Sequence, residues 1–134
     1  MENIISIKNL KIAFNQDNEV VKNLNLKIIK GKTTAIVGES GSGKTLSALS
    51  ILKLLPSSAK ITEGEIFFKD KNILSLTNKD IQQIRGNKIS TIFQEPMTSL
   101  NPLHTINKQI EEMILTHNKV NKIEAKNKTI TLLK

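Results

Sequence analysis

The sequence contains no cysteine, no tryptophan and no tyrosine, and only four phenylalanines among its 134 residues. Without cysteine there are neither disulfides nor thiolate metal sites, which suits a reducing, cytosolic compartment. No apolar run approaches the roughly 18 residues that a membrane span needs. The longest are short and interrupted, as in "ALSILKLL" from Ala48 to Leu55. The N-terminus "MENIISIKNL" has no basic leader ahead of an apolar stretch, so no secretory signal is expected. Arginine is nearly absent as well. The formal charge of +8 comes from 19 lysines and the single Arg85, spread along the chain. Readers of nucleic acid favour arginine and stacking aromatics, so no nucleic-acid partner is expected.

What is present suits a single soluble α/β domain, with 38% apolar residues. "IISIKNL" and "LNLKI" (Leu24 to Ile28) read as strands, and in the second Leu24, Leu26 and Ile28 alternate with Asn25 and Lys27. The polar "NQDNE" (Asn15 to Glu19) reads as the turn between them. "TTAIVG" (Thr33 to Gly38) is a compact apolar run, the pattern of a strand buried on both faces. From Gly43 to Leu55 the apolar spacing predicts a helix, stopped by Pro56. "GEIFF" (Gly64 to Phe68) and "KISTIF" (Lys88 to Phe93) read as further strands. Thr77 and Asp80 form a capping pair for a short helix that Gly86 ends. A proline-punctuated loop, "QEPMTSLNPLH" (Gln94 to His104), leads to a helix from Thr105 to His117, and residues 122–134 open another.

Between an apolar run and a helical one lies "GESGSGKT", which satisfies the pattern G-x-x-x-x-G-K-[ST]. Glycines at 38, 41 and 43 let the backbone of Gly38, Glu39, Ser40, Gly41, Ser42 and Gly43 curl, so that successive N–H groups point inward into an anion nest. The helix that follows adds its free N–H groups and positive dipole end. Lys44 would reach the β- and γ-phosphates of a nucleotide as a compact positive charge, and the Thr45 hydroxyl would ligate Mg²⁺. A strand before and a helix after are the context that such a loop demands.

Which phosphate-loop family is decided further on. "IFQEPMTSLNPLHT" follows a strand, and its Gln94 stands 50 residues after Lys44. With "GESGSGKT" and "RGNKISTIFQEP", the chain resembles the ATP-binding subunit of an ABC transporter, in particular the oligopeptide, dipeptide and microcin C-type peptide importer branch. The resemblance runs from "ISIKNLKIAF" onward. It implies a P-loop NTPase core of the ABC type, incomplete, with an antiparallel N-terminal part and the start of a helical subdomain. Residues 1–94 would hold the nucleotide-binding core and residues 95–134 the Q-loop and the opening of that subdomain. It implies ATP and Mg²⁺ as ligands. Phe14 then matches the aromatic position that stacks on adenine, Gly38 to Thr45 match Walker A, and Gln94 matches the Q-loop glutamine near Mg²⁺ and the γ-phosphate. Phe14 as an ordinary core aromatic and Gln94 as a loop-capping side chain stand as the plain alternatives. The partners implied are membrane-spanning permease subunits, at the cytoplasmic face of the membrane, and a second nucleotide-binding domain.

Other signals are set aside. "LTHN" imitates the family's switch-histidine stretch, but His117 lies only 23 residues after Gln94 and reads as a solvated helix end. Glu111 and Glu112 are neighbours on a helix and point apart. After Gln94 the sequence has no SGG segment and no apolar strand ending in Asp-Glu. The reading is therefore ATP binding with negligible hydrolysis by this chain alone, the alternatives being a non-functional remnant or a stand-alone nucleotide-binding module. The strand before the phosphate loop and the strand before Gln94 are expected to lack neighbours and to expose apolar flanks.

Overall fold

The computed structural model describes residues 2–15, 18–95 and 100–134. The turn expected at Asn15–Glu19 and the loop expected at Gln94–His104 therefore fall partly outside the described residues. Backbone contacts divide the chain into two units, residues 1–82 and 83–134.

The first unit is organised by β1 (Asn3–Ala13), which pairs antiparallel on one side with β2 (Glu19–Ile29) and on the other with β3 (Lys60–Phe68). A short β4 (Lys71–Asn72) completes a sheet of order β2-β1-β3-β4. Alternation does what the sequence requires of it: Ile5, Ile7, Leu10 and Ile12 of β1 are buried, while Lys8 faces out. Ile7 stands opposite Leu26 on one flank and Ile66 on the other, so three strands contribute to one apolar layer. Ile73, from the 3₁₀ turn Ile73–Ser75, and Ile81 are also fully buried. Each such isoleucine contributes about 1.5–3 kcal/mol of transfer free energy.

The register of β1 slips at Asn9 against both neighbours, and Asn9 takes φ 48°. Such a bulge costs ladder hydrogen bonds, and here side chains replace them. The Asn9 N–H donates to Asn25 Oδ1 at 3.0 Å, while Asn25 Nδ2 donates to the Asn23 carbonyl at 3.1 Å. Across the sheet Gly64 sits at φ 103°, where a Cβ would lie 2.6 Å from Leu10 Cα and 2.7 Å from the Asn9 oxygen. Only glycine lets β3 pass the bulge.

α1 (Lys44–Ser50) begins at the phosphate-loop motif but ends earlier than its apolar spacing suggests. The chain turns at Lys53, φ 52°, with the Leu54 N–H bonded to the Leu49 carbonyl and the Lys53 N–H to that of Ser50. This is the helix-ending pattern that usually places glycine at the left-handed position. Here Lys53 Nζ donates to the carbonyls of Leu74 (3.3 Å) and Leu76 (3.0 Å), contacts that offset its backbone strain. α2 (Asn78–Ile84) starts as expected: the Thr77 hydroxyl accepts from the Asp80 N–H and donates to Asp80 Oδ2.

Two expected strands are absent as ladders. Residues 33–38 pair with nothing among the described residues, and of residues 88–93 only Ile89 makes a bridge, to Arg85. A strand is made by its neighbour, since backbone N–H and C=O groups need a partner edge whatever the side chains prefer. The apolar residues there are consequently exposed: Val37 by 89% and Ile92 by 95%.

The second unit contains α3 (Ile106–His117) and α4 (Lys122–Leu132), packed on each other. Thr105 caps α3 by accepting the Lys108 N–H, and Asn121 with Glu124 forms a full capping box on α4. His117 is not the solvated helix end its position suggests. It is half-buried, its Nδ1 is shielded without a hydrogen-bond partner, and its Nε2 lies 3.4 Å from where a Gly86 Cβ would stand. Glu111 accepts a hydrogen bond from Asn107 Nδ2, while Glu112 is exposed, so the two carboxylates do diverge.

Candidate nucleotide site

The loop from Gly38 to Gly43 is exposed until its last residue, which is buried against the sheet. Gly43 precedes α1 at φ 83°, and a Cβ there would meet Val21 Cγ2 at 2.6 Å and Val20 Cγ1 at 3.3 Å. β2 thus forms the floor on which the loop turns into the helix, a contact that the motif alone does not disclose. Ser47, one turn into α1, donates its hydroxyl to the Gly43 carbonyl at 2.9 Å, and Ser50 donates to the Ser47 carbonyl at 2.7 Å. Both serines are buried with their hydroxyls satisfied, so α1 presses on the first unit through small polar residues as well as through Ile51 and Leu52.

Lys44 turns back over this loop. Its Nζ lies 2.8 Å from the Gly38 oxygen, 2.5 Å from the Glu39 oxygen and 3.3 Å from Ser42 Oγ. An ammonium has three protons, and three oxygens receive them. The positive charge therefore sits in the mouth of the loop, held by neutral oxygens. Phosphate oxygens are stronger acceptors for an ammonium and would replace them. Ser42 also reaches across the turn: a Gly38 Cβ would stand 3.0 Å from its Oγ, and its N–H donates to the Glu39 carbonyl. Ser40 and Gly41 form the exposed rim. Thr45, the next residue along α1, is exposed. The donor set fits a nucleotide's phosphates and a magnesium ion: curled backbone, one centred cation and one free hydroxyl. Mg²⁺ commonly takes one or two protein oxygens and fills its shell with phosphate and water. Among the described residues no group of three or more His, Cys, Asp or Glu side chains gathers as a metal site of its own.

The remaining candidates stand elsewhere. Phe14 follows β1, half-buried, with its N–H donated to the Asn18 carbonyl at 3.1 Å. It borders an open cleft of about 610 Å³ together with Asn15, Ser57, Ser58, Lys60 and Thr62, and no residue of Gly38–Thr45 lines that cleft. Gln94 belongs to the second unit and is exposed. The structure thus runs Gly38 to Gly43 as a loop into α1, which carries Lys44 and Thr45, with β2 beneath the junction at Gly43, and places Phe14 on the same unit. Sequence reasoning missed Val20 and Val21 as that floor. Their signal in the sequence is no more than two adjacent branched residues near the start of β2, of which Val21 pairs with Ile12 in the register.

No helix among the described residues is long and apolar enough to cross a membrane. The sequence profile of the family described as ABC transporter matches residues 21–134. The chain is 45% identical to the oligopeptide transport ATP-binding protein AppD of Bacillus subtilis (strain 168), over 99% of this chain and 42% of that protein. It is 43% identical to the dipeptide transport ATP-binding protein DppD of Lactococcus lactis subsp. cremoris (strain MG1363), over 98% of this chain and 39% of the other. It therefore spans about two fifths of the length of these curated relatives. Among solved structures, a dimeric ATP-binding cassette in a post-hydrolysis state, bound to ADP and Pi, superposes with a TM-score of 0.76. That match has 25% identity and covers 96% of this chain and 55% of the other. The fold is accordingly that of part of an ABC-type P-loop NTPase core, with its antiparallel sheet and helices.

Proposed function

Since this chain belongs to the ABC transporter family, we propose that it is the phosphate-binding part of the ATP-binding component of a peptide importer. The observation that carries this is Lys44, whose ammonium is centred over the loop on oxygens of Gly38, Glu39 and Ser42. Backbone N–H groups from Glu39 to Thr45 would surround the β- and γ-phosphates of ATP, with Lys44 exchanging carbonyl for phosphate oxygens and Thr45 contributing its hydroxyl to Mg²⁺. Bound Mg²⁺ supplies charge neutralisation between the phosphates. Phe14 would offer its face to the adenine, and Gln94 its amide to the metal and γ-phosphate. Peptides as the transported solute follow from the names of the relatives. Permease subunits and a second nucleotide-binding domain are the partners this reading requires, at the inner face of the membrane.

Phosphoryl transfer depends on positioning several groups at once. The proposal for this chain is accordingly ATP binding through the phosphate loop. The test is equilibrium binding of Mg²⁺-ATP to the full chain and to Lys44→Ala. Binding that Lys44→Ala abolishes is the expected result, and binding that survives the substitution overturns the assignment. An absence of binding in the unsubstituted chain would favour the remnant over the module.

A further inference from the structure

α1 is held at both of its ends, and every residue that holds it lies in the first unit. At its start Gly43 lies against Val20 and Val21 of β2. Beyond its end Lys53 reaches the 3₁₀ turn Ile73–Ser75, its Nζ 3.3 Å from the Leu74 carbonyl oxygen and 3.0 Å from that of Leu76. That turn is itself well anchored. Ile73 is fully buried, the Leu74 N–H donates to Asn72 Oδ1 at 3.0 Å, and the Leu76 N–H to the Ile73 carbonyl at 3.2 Å. Between the two ends a relay of hydrogen bonds runs along the helix. Ser47 Oγ donates to the Gly43 carbonyl, Ser50 Oγ to the Ser47 carbonyl, and the Lys53 N–H to the Ser50 carbonyl. Ser47 and Ser50 are buried, so water does not compete at their hydroxyls.

Lys53 holds φ 52°, a region that glycine enters freely and lysine does not. Glycine would end α1 with less strain. What lysine adds is an ammonium that joins the helix to the 3₁₀ turn. We propose that Lys53 is a positioning residue for the phosphate loop, fixing the direction of α1 and thereby where its first residues, Lys44 and Thr45, stand. The inference rests on the reading of Gly38–Thr45 as the nucleotide site. α1 is about 10 Å long. Untying its far end lets it pivot on Gly43 and carry the Lys44 ammonium off the oxygens of Gly38, Glu39 and Ser42. Small displacements suffice to spoil a site of converging donors. Lys53 acts through the helix alone, its own ammonium being engaged at Leu74 and Leu76.

The experiment compares Lys53→Gly and Lys53→Met in the full chain by urea midpoint, Mg²⁺-ATP affinity and hydrogen exchange. Both remove the ammonium, but only Lys53→Gly relieves the left-handed backbone. Lys53→Gly is therefore expected to be the more stable of the two, while both lose Mg²⁺-ATP affinity alike, by about fivefold or more. Exchange without nucleotide gives a second reading. The Ser47 N–H donates to the Gly43 carbonyl at 2.8 Å and reports whether the start of α1 keeps its seat. Its exchange should speed by about threefold or more in both variants, relative to Ile7 of β1. A role confined to ending the helix predicts otherwise: affinity follows the urea midpoint, falling in Lys53→Met and recovering in Lys53→Gly. That result overturns the proposal, as does unchanged Ser47 exchange in Lys53→Gly. An unsubstituted chain that binds no Mg²⁺-ATP overturns the nucleotide reading instead, while exchange at Ser47 still decides whether Lys53 seats the start of α1.

Discussion

The ammonium of Lys44 lies 2.8 Å from the carbonyl oxygen of Gly38, six residues earlier, so the lysine closes the loop that it also serves. The loop is held ready by its own cation. Ligand binding then becomes an exchange of acceptors at a preformed position. Lys44→Ala is expected to weaken Mg²⁺-ATP by more than about 100-fold, near the energy of two charge-assisted hydrogen bonds. Lys44→Arg keeps the charge but presents a flat fork where three oxygens converge, so it should still lose about tenfold or more. Titration calorimetry on the three proteins checks the order.

Gly43→Ala places a methyl carbon 2.6 Å from Val21 Cγ2 at a backbone φ of 83°. Both the overlap and the left-handed backbone are unfavourable, and the expected destabilisation is about 2–4 kcal/mol. Adding Val21→Ala removes the overlap and leaves the backbone strain. The double variant should recover part of the loss relative to the sum of the singles, and urea midpoints read that coupling.

Gly64 and Gly31 both have positive φ, yet only Gly64 is crowded. A Cβ at Gly64 meets backbone atoms of Asn9 and Leu10, whereas one at Gly31 meets nothing within 4 Å. Gly64→Ala should cost about 3 kcal/mol or more, because a strand pairing must shift, and Gly31→Ala about 1 kcal/mol. Similar losses from the two would mean that the bulge at Asn9 does not fix β3.

Lys11 and Glu63 are register partners across β1 and β3, with Nζ 2.9 Å from Oε2. The hydrogen bond and the charge of Glu63 raise the Lys11 pKa above its usual 10.5. A raised folded pKa means that the pair's stabilisation is complete below pH 10.5, where the unfolded lysine is protonated too. It is lost as pH climbs through the folded value. The urea midpoint of the unsubstituted chain should therefore fall more steeply above that pH than that of Lys11→Gln, and added salt should narrow the difference.

Val37 and Ile92 are exposed by 89% and 95% on stretches with no ladder of their own. Exposed apolar residues on unpaired backbone favour self-association. The purified chain should bind a hydrophobic dye and sediment as a mixture. Val37→Lys with Ile92→Lys should shift it toward monomer. A monodisperse parent with a sharp, cooperative melt would contradict this.

The paired strands and the helix starts were legible because their signals are local. Leu24, Leu26 and Ile28 alternate, and Thr77 with Asp80 caps α2. The phosphate loop was legible for the same reason, as a motif within eight consecutive residues. Thr33–Gly38 and Lys88–Phe93 suit a sheet by apolar composition, and they stand without a ladder as the expected lack of neighbouring edges requires. The early end of α1 was hidden because Lys53 occupies a position where glycine is the usual signal. The roles of Val21 under Gly43 and of Lys53 at Leu74 and Leu76 depend on residues brought close only by folding.

Because β1 lies between β2 and β3, the sheet cannot be finished in the order in which the chain is made. The β1–β2 hairpin closes within the first 29 residues, but the other edge of β1 waits for β3, which ends at Phe68. The phosphate loop and α1 lie wholly within that interval. During synthesis the emerging loop therefore leads a provisional existence, attached to a ribbon with one flank bare. Its final seat is set late, when a pairing between distant parts of the chain snaps the excursion shut.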